Sequence, residues 1–189
     1  GKNCVPGARN YDDDNGHGTH VAGTIAAVSN TVGVVGVAPA AKLWAVRVLN
    51  NQGSGTWSSV ICGIDWVTQK AQTDPRLKVA NMSLGGGGSA GTACNSNPLR
   101  QAICNSVQAG VTYVVAAGNN GGDLAQSVPA AFPEVIAVSA LADSNGRACG
   151  GGAATNYGAD DTFASFSNYA TAAGDVSRLL AAPGVSIKS

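Results

Sequence analysis

At 189 residues the chain is long enough to bury most of the surface its unfolded form would expose, so a single globular domain is expected. Eleven Lys and Arg balance eleven Asp and Glu, which leaves no basic field to hold nucleic acid and no polybasic face to hold a membrane. Only 12% of residues are charged, too few for a disordered segment, yet no apolar run approaches membrane-spanning length, so the chain reads as soluble and compact.

The first ten residues, GKNCVPGARN, lack the basic-then-apolar pattern of a signal peptide, and any export signal is expected outside this chain. Next comes NGHGTHVAGTIAA (15–27), which holds both histidines, His17 and His20, between glycines and small apolar residues. LWAVRVL (43–49) is a short Val/Leu-rich run that predicts a strand. In TWSSVICGIDWVTQKA (56–71) the apolar Trp57, Val60, Ile61, Ile64 and Val67 recur at helical spacing. VANMSL (79–84) predicts a second strand, NPLRQAICNSVQAG (97–110) a helix ending at a glycine, VTYVVAAG (111–118) a third strand and VIAVSA (135–140) a fourth. From 141 to 178 the composition shifts to Gly, Ala, Ser, Asn and Asp, which reads as a long loop or insertion. Strands separated by crossover helices imply right-handed βαβ units and a parallel sheet covered on both faces. The expected fold class is therefore α/β, three layers with a mainly parallel central sheet, and sites in such folds gather where strands end and helices begin.

Five cysteines leave two readings open. Cys94 and Cys104 close a short loop whose disulfide suits a secreted protein, with Cys4, Cys62 and Cys149 left over; alternatively all five are small buried hydrophobes in a reducing compartment. No C-x-x-C pair supports a zinc or redox reading.

The histidine loop also admits several readings. His17 and His20 near Asp12, Asp13 and Asp14 suggest a metal cluster, but the glutamate of an H-E-x-x-H helix is absent and spacing places no third ligand. As merely polar residues at a helix start they would not need glycine on both sides of His17. Flanking glycines permit close approach by a ligand, and a helix N-terminus disfavours imidazolium, which suits a general base.

NGHGTHVAGTIAA resembles the histidine motif of the subtilisin-like serine proteases, and it does not stand alone. GVVGVAPAAKLWAVRVLNNQGSG, VANMSLGGG, VVAAGNN, VIAVSA, and SFSNY through AAPGVSI resemble further segments of that family in the same order, over nearly the whole chain. The resemblance implies that His17 is the catalytic base and His20 a structural neighbour buried on the helix. It implies that Asn119 donates its side-chain amide to the oxyanion, a role taken from the family. Gly53, Ser54 and Gly55, with Ser83, Leu84, Gly85 and Gly86, match the two backbone segments that hold an extended polypeptide substrate. Ala116, Ala117 and Gly118 would line a roomy pocket for the residue before the scissile bond. Read without the family, these glycines are turns and Asn119 a turn residue.

Calcium is the implied cofactor: SNTVGVVGVAP resembles the family's tight calcium loop, with backbone carbonyls of Val28, Val32 and Val34 and the side-chain oxygen of Asn30; the family's aspartate ligand for that site lies upstream and is missing here, so weak affinity is expected. Unaided, VGVVGV reads as an apolar strand bend. A second site near Pro133 and Val135 would have Leu179 where some relatives carry an acid, with Asp175 the nearest carboxylate. The family also brings Cys4 and Cys62 close, and leaves Cys149 awaiting a partner beyond Ser189. The departures are as informative. The triad runs Asp, His, Ser in this family, and Asp12, Asp13 and Asp14 lie too near the histidine to supply the first, so they read as a solvated loop. No Gly-Thr-Ser-Met-Ala type string occurs to supply the nucleophile. The expectation is an incomplete part of an extracellular, monomeric endopeptidase's catalytic domain, with a catalytically inactive peptide-binding relative as the alternative.

Overall fold

The computed structural model describes residues 1–147 and 149–189, in two compact units, one of residues 1–73 with 188–189 and the other of residues 74–187. In the first, β1 (Lys2–Asn3) pairs in parallel with β2 (Val46–Arg47). Between them runs helix α1 (His17–Ala26), and after them α2 (Trp57–Thr73). Of the expected strand 43–49 only Val46 and Arg47 are extended and paired, because only those two have a ladder partner, Lys2 and Asn3. Helix α2 follows its apolar spacing and buries Ser59, Val60, Gly63 and Ile64 on one face. A Cβ on Gly63 would press on the side chains of Val46 and Val48, so glycine there lets α2 lie close to β2. The Cys4–Cys62 disulfide, with Cα atoms 5.9 Å apart, fastens the segment after β1 to α2.

In the second unit β3 (Val79–Met82) leads to β4 (Gly86–Gly87), α3 (Pro98–Gln108), β5 (Thr112–Ala116), β6 (Ser127–Val128), β7 (Ile136–Ala142), β8 (Thr162–Phe163), α4 (Ala173–Val176) and β9 (Leu179–Pro183). Strands β3, β5, β7 and β9 form a parallel sheet in that order, and β8 adds antiparallel to the end of β7. A separate antiparallel pair joins β4 to β6. Helix α3 begins with Asn97, whose side chain accepts from the Arg100 amide at 2.8 Å, followed by Pro98 in the first turn; Gly110, at φ 90°, follows its end. Its inner face packs Leu99, Ala102 and Ile103 into a core with Tyr113, Val115, Leu124 and Phe132, and the Tyr113 hydroxyl donates to Ser106 at 2.8 Å.

Three expectations are corrected by the structure. The sheet is not buried on both faces throughout: β5 and β7 alternate in burial, while Val79 in β3 and Leu180 in β9 are about 60% exposed. These are the outer strands of the parallel array, so each has a ladder neighbour on one side only. The stretch 141–178, read as loop, carries β8 and α4, whose lengths of two and four residues are too short to show periodicity. The all-reduced reading of the cysteines also fails, since Cys94–Cys104 and Cys4–Cys62 are disulfides and Cys149 is free and exposed. Among the described residues no helix is long and apolar enough to cross a membrane.

Candidate active site

In the first unit both histidines enter α1. His17 is its first residue and follows Gly16, whose φ of 96° favours glycine. Gly16 brings no capping side chain, and Asp13 supplies one from outside the helix. Its carboxylate accepts the amides of Asn15 and Gly16 at 2.9 Å, and the amide and hydroxyl of Thr19 at 2.7 Å. A carboxylate there matches both the orphan amides of the first turn and the helix dipole. These bonds, that of the Gly16 amide foremost, hold Asp13 well below the usual carboxylate range. The triple aspartate is exposed as expected, but it is not idle. Asp14 pairs with Arg47 at 2.7 Å, and Arg47 also donates to the Asp12 carbonyl at 2.6 Å, so β2 carries the anchor of the histidine loop.

His17 is exposed and so is His20, which corrects the reading of His20 as buried. Helix α1 has no fully buried residue, so no position on it lies in a covered pocket. The Gly53-Ser54-Gly55 segment closes a turn in which Asn50 accepts the amides of Gln52 and Ser54 and donates its own amide to the Ser54 carbonyl at 2.8 Å. Gly53 adopts φ 73°, and a Cβ on Gly55 would collide with the Val48 carbonyl. Asn15 donates to the Asn51 carbonyl at 3.1 Å, so the loop presenting His17 is tied directly to this turn.

In the second unit Asn119 is exposed, three residues beyond β5, and among the described residues none hydrogen-bonds its side chain. Ala117 is buried while Ala116 and Gly118 are half-buried. The turn 117–122 is gripped by Asn168, a fully buried side chain with no available hydrogen-bonding capacity left. Asn168 Nδ2 donates to the Ala117 carbonyl and to Ser127 Oγ, both at 3.0 Å, and its Oδ1 accepts the amides of Asn120 at 3.0 Å and Gly122 at 3.1 Å. Ser83 and Leu84 are half-buried beyond β3, Ser83 receives the Asn81 amide at 3.0 Å, and Gly86 is paired with Val128 in the β4–β6 ladder. Through Ser127 the turn bearing Asn119 and the segment 83–86 therefore share one hydrogen-bond network.

Arg100 anchors the loop that follows β4. It is buried, it donates to the carbonyls of Ala90 and Gly91 at 3.0 and 3.2 Å, and it pairs with Glu134 at 2.7 Å. Burial pushes Glu134 up, but the hydrogen bonds and charge of Arg100 outweigh it and hold the carboxyl below its usual range.

Two groups of metal-ligand types converge among the described residues, and the histidine loop is in neither. Cys94, Cys104 and Glu134 include a disulfide, which removes both thiolates. Asp143, Asp160 and Asp161 are occupied with loop amides, Asp160 with those of Ser144 and Gly152 and Asp161 with that of Gly150. At 28–34 the donor set suits calcium: among the described residues no backbone amide bonds the carbonyls of Val28, Val32 or Val34, and Asn30 Oδ1 accepts only the Val32 amide, at 2.8 Å. The loop itself is held against α1 by bonds from the amides of Gly36, Val37 and Ala38 to the carbonyls of Ala27, Thr24 and Ile25. Near Pro133 and Val135, Asp175 is paired with Arg178 and Glu134 with Arg100, so both carboxylates there are already engaged.

Sequence reading missed Asp13, Asn168 and Arg100. Three adjacent acids give no spacing signal to single out one. Asn168 acts on groups 41 to 51 positions away along the chain, and Arg100 reaches Glu134 34 positions away.

Comparison with known proteins adds the following. The model of the subtilase family matches residues 2–189. Subtilisin DY of Bacillus licheniformis is 45% identical over 151 residues, 78% of this chain and 51% of its own length. Subtilisin E of Bacillus subtilis (strain 168) is 43% identical over 152 residues, 78% of this chain and 37% of its own. A crystal structure of a cold adapted subtilisin-like serine proteinase matches with a TM-score of 0.73 at 37% identity, covering 100% of this chain and 56% of the other. The chain thus spans about half the length of the curated relatives it matches, or less. The shared fold is the three-layer α/β class with a mainly parallel sheet.

Proposed function

The chain belongs to the subtilase family, and from that premise we propose that it is part of the catalytic domain of a secreted serine-type endopeptidase. The observation that carries the proposal is His17: an exposed imidazole at the first position of α1, on a loop locked by Asp13, Arg47 and Asn15. A locked loop suits a base that must meet one hydroxyl in one geometry. In this reading His17 takes the proton of a serine hydroxyl as the oxygen attacks a peptide carbonyl, and later gives it to the leaving amine. Asn119 donates its amide to the oxyanion, and its uncommitted side chain supports that role.

The substrate is an extended polypeptide. The backbones of Gly53, Ser54 and Gly55 and of Ser83, Leu84, Gly85 and Gly86 bind it mainly by main-chain hydrogen bonds, and Ala116, Ala117 and Gly118 form one wall of the pocket for the residue before the scissile bond. These walls are small, and a large apolar or aromatic side chain fits them. Val28, Val32 and Val34 would hold calcium by their carbonyls and Asn30 by its side-chain oxygen; the ion would supply no chemistry and would stiffen the loop after α1. Two disulfides support an oxidising, extracellular location, and the enzyme acts as a monomer. The sequence here contains no nucleophile string, and its only aspartates before His17 are Asp12, Asp13 and Asp14, so the 189 residues alone are expected not to hydrolyse peptides.

The test is labelling of the full-length protein with a fluorophosphonate, which reacts only with an activated serine. Labelling that disappears in His17→Ala supports the protease. A folded protein that resists the probe overturns it in favour of a catalytically inactive peptide binder that uses the same backbone segments.

A further inference from the structure

The turn that carries Asn119 cannot hold its own shape. Of residues 117–122 three are glycine, and Gly118 and Gly121 sit at φ 112° and 61°, conformations that cost entropy to fix. An oxyanion donor, by contrast, works only if its direction is set before the charge develops. What fixes this turn is a segment about fifty positions later. Gly121 donates to the Phe166 carbonyl at 2.7 Å, the Asn168 amide to Gly118 at 2.9 Å and the Tyr169 amide to Gly122 at 3.0 Å. The Asn168 side chain then spends all of its capacity, two N–H donors and two acceptor positions, on Ala117, Ser127, Asn120 and Gly122. Its bonds fall on both sides of Asn119 and none reaches Asn119 itself. Behind it, Ser139 of β7 donates to the Asn168 carbonyl at 2.7 Å, which roots the arrangement in the sheet. A Cβ on Gly118 would collide with Asn168 Nδ2, so the glycine is what admits the clamp.

We propose that Asn168 is the positioning residue for Asn119: a buried amide that clamps the 117–122 turn so that the Asn119 side chain is pre-aimed at the oxyanion. The proposal rests on the role of Asn119 given above. Asn168 touches neither substrate nor reacting atoms, and its effect falls on kcat because a misdirected donor weakens the transition state more than the bound substrate.

The experiment is steady-state kinetics of the full-length enzyme on one peptide substrate, with thermal midpoints, for Asn119→Ala, Asn168→Ala, Asn168→Asp, Ser127→Ala and the Asn119→Ala/Asn168→Ala double variant. Asn119→Ala is expected to lose about 10²–10³ in kcat, a magnitude carried over from a subtilisin. Asn168→Ala is expected to lose roughly ten- to a hundredfold in kcat with KM within about twofold, and to cost nothing further when Asn119 is already alanine. Asn168→Asp keeps the shape. Its carboxyl imitates the amide when protonated and turns an extra acceptor toward the Ala117 carbonyl when ionised. The partners of Asn168 are main-chain groups and the hydroxyls of Ser127, Ser139 and Ser167, so the ratio of variant to wild-type kcat should fall as pH rises through that one titration.

Losses from Asn119→Ala and Asn168→Ala that multiply independently overturn the proposal and leave the oxyanion role standing. So does a rise in KM at constant kcat, which would assign Asn168 to the substrate strand through Ser127. An Asn119→Ala variant with full kcat overturns the oxyanion role itself, whatever Asn168 does. If Asn168→Ala does not fold, Asn168→Asp and Ser127→Ala, each of which keeps most of the clamp, decide the same question.

Discussion

Asp13 stands outside α1 yet satisfies more of its first turn than any residue within the helix does. The loss of such a cap costs about 1 kcal/mol, within a range of roughly 0.5–2. Asp13→Ala is therefore expected to lower the stability of the folded chain by about that amount at neutral pH. The sign of its pH dependence follows from linkage. Asp13 is held below the ordinary carboxylate range in the folded chain, so its contribution is fully present above the unfolded value, near pH 4, and is lost as pH falls through the lower folded value. Thermal midpoints of wild type and Asp13→Ala, followed from pH 7 to pH 2, should converge toward the acid end. A difference that stays constant or widens on acidification would show that the carboxylate is not the cap.

At the scale of elements the two disulfides act on very different spans. Cys94–Cys104 closes a separation of 10 residues and Cys4–Cys62 one of 58. Loop-closure entropy then assigns about 3 kcal/mol to the short bridge and about 4 to the long one. Replacing both cysteines of the long bridge by alanine is expected to destabilise more, by about 1.5 kcal/mol, in denaturant titrations of the two double variants. Thiol titration of the intact denatured chain should find one free thiol, Cys149; five would remove both bridges from the account. The loop after β4 depends on a single cation. Arg100→Ala leaves Glu134 half-buried without its partner and the carbonyls of Ala90 and Gly91 without donors, which places the cost in the range of about 3–5 kcal/mol. Arg100→Lys should restore only part of it, because an ammonium cannot reproduce the planar fork that serves a carboxylate and two carbonyls at once. A loss below about 1 kcal/mol in urea unfolding would mean that the loop finds other partners.

For the molecule as a whole, calcium offers a readout that needs no catalysis. Binding only to the folded state raises the thermal midpoint by mass action. Addition of calcium should stabilise the wild-type chain and stabilise Asn30→Ala much less; equal responses would move the ion away from 28–34. How much of this protein was legible beforehand depended on the distance between partners. The helices were readable because α2 and α3 announce their buried faces at a period of 3.6, and α3 carries its own Asn-Pro start. That the strands run parallel followed from the crossover helices, and the His17 and Asn119 strings were readable as contiguous motifs. All of these are set by interactions over a few neighbouring residues, which the order of amino acids encodes directly. The tertiary structure alone decided which of three adjacent aspartates caps α1, that only two residues of LWAVRVL find a ladder partner, and that the exposed turn around Asn119 is clamped by an amide some fifty positions later. Those outcomes depend on which groups chain closure brings within about 3 Å, the distance at which a hydrogen bond forms. Hydrophobic period and local turn chemistry carry no record of it.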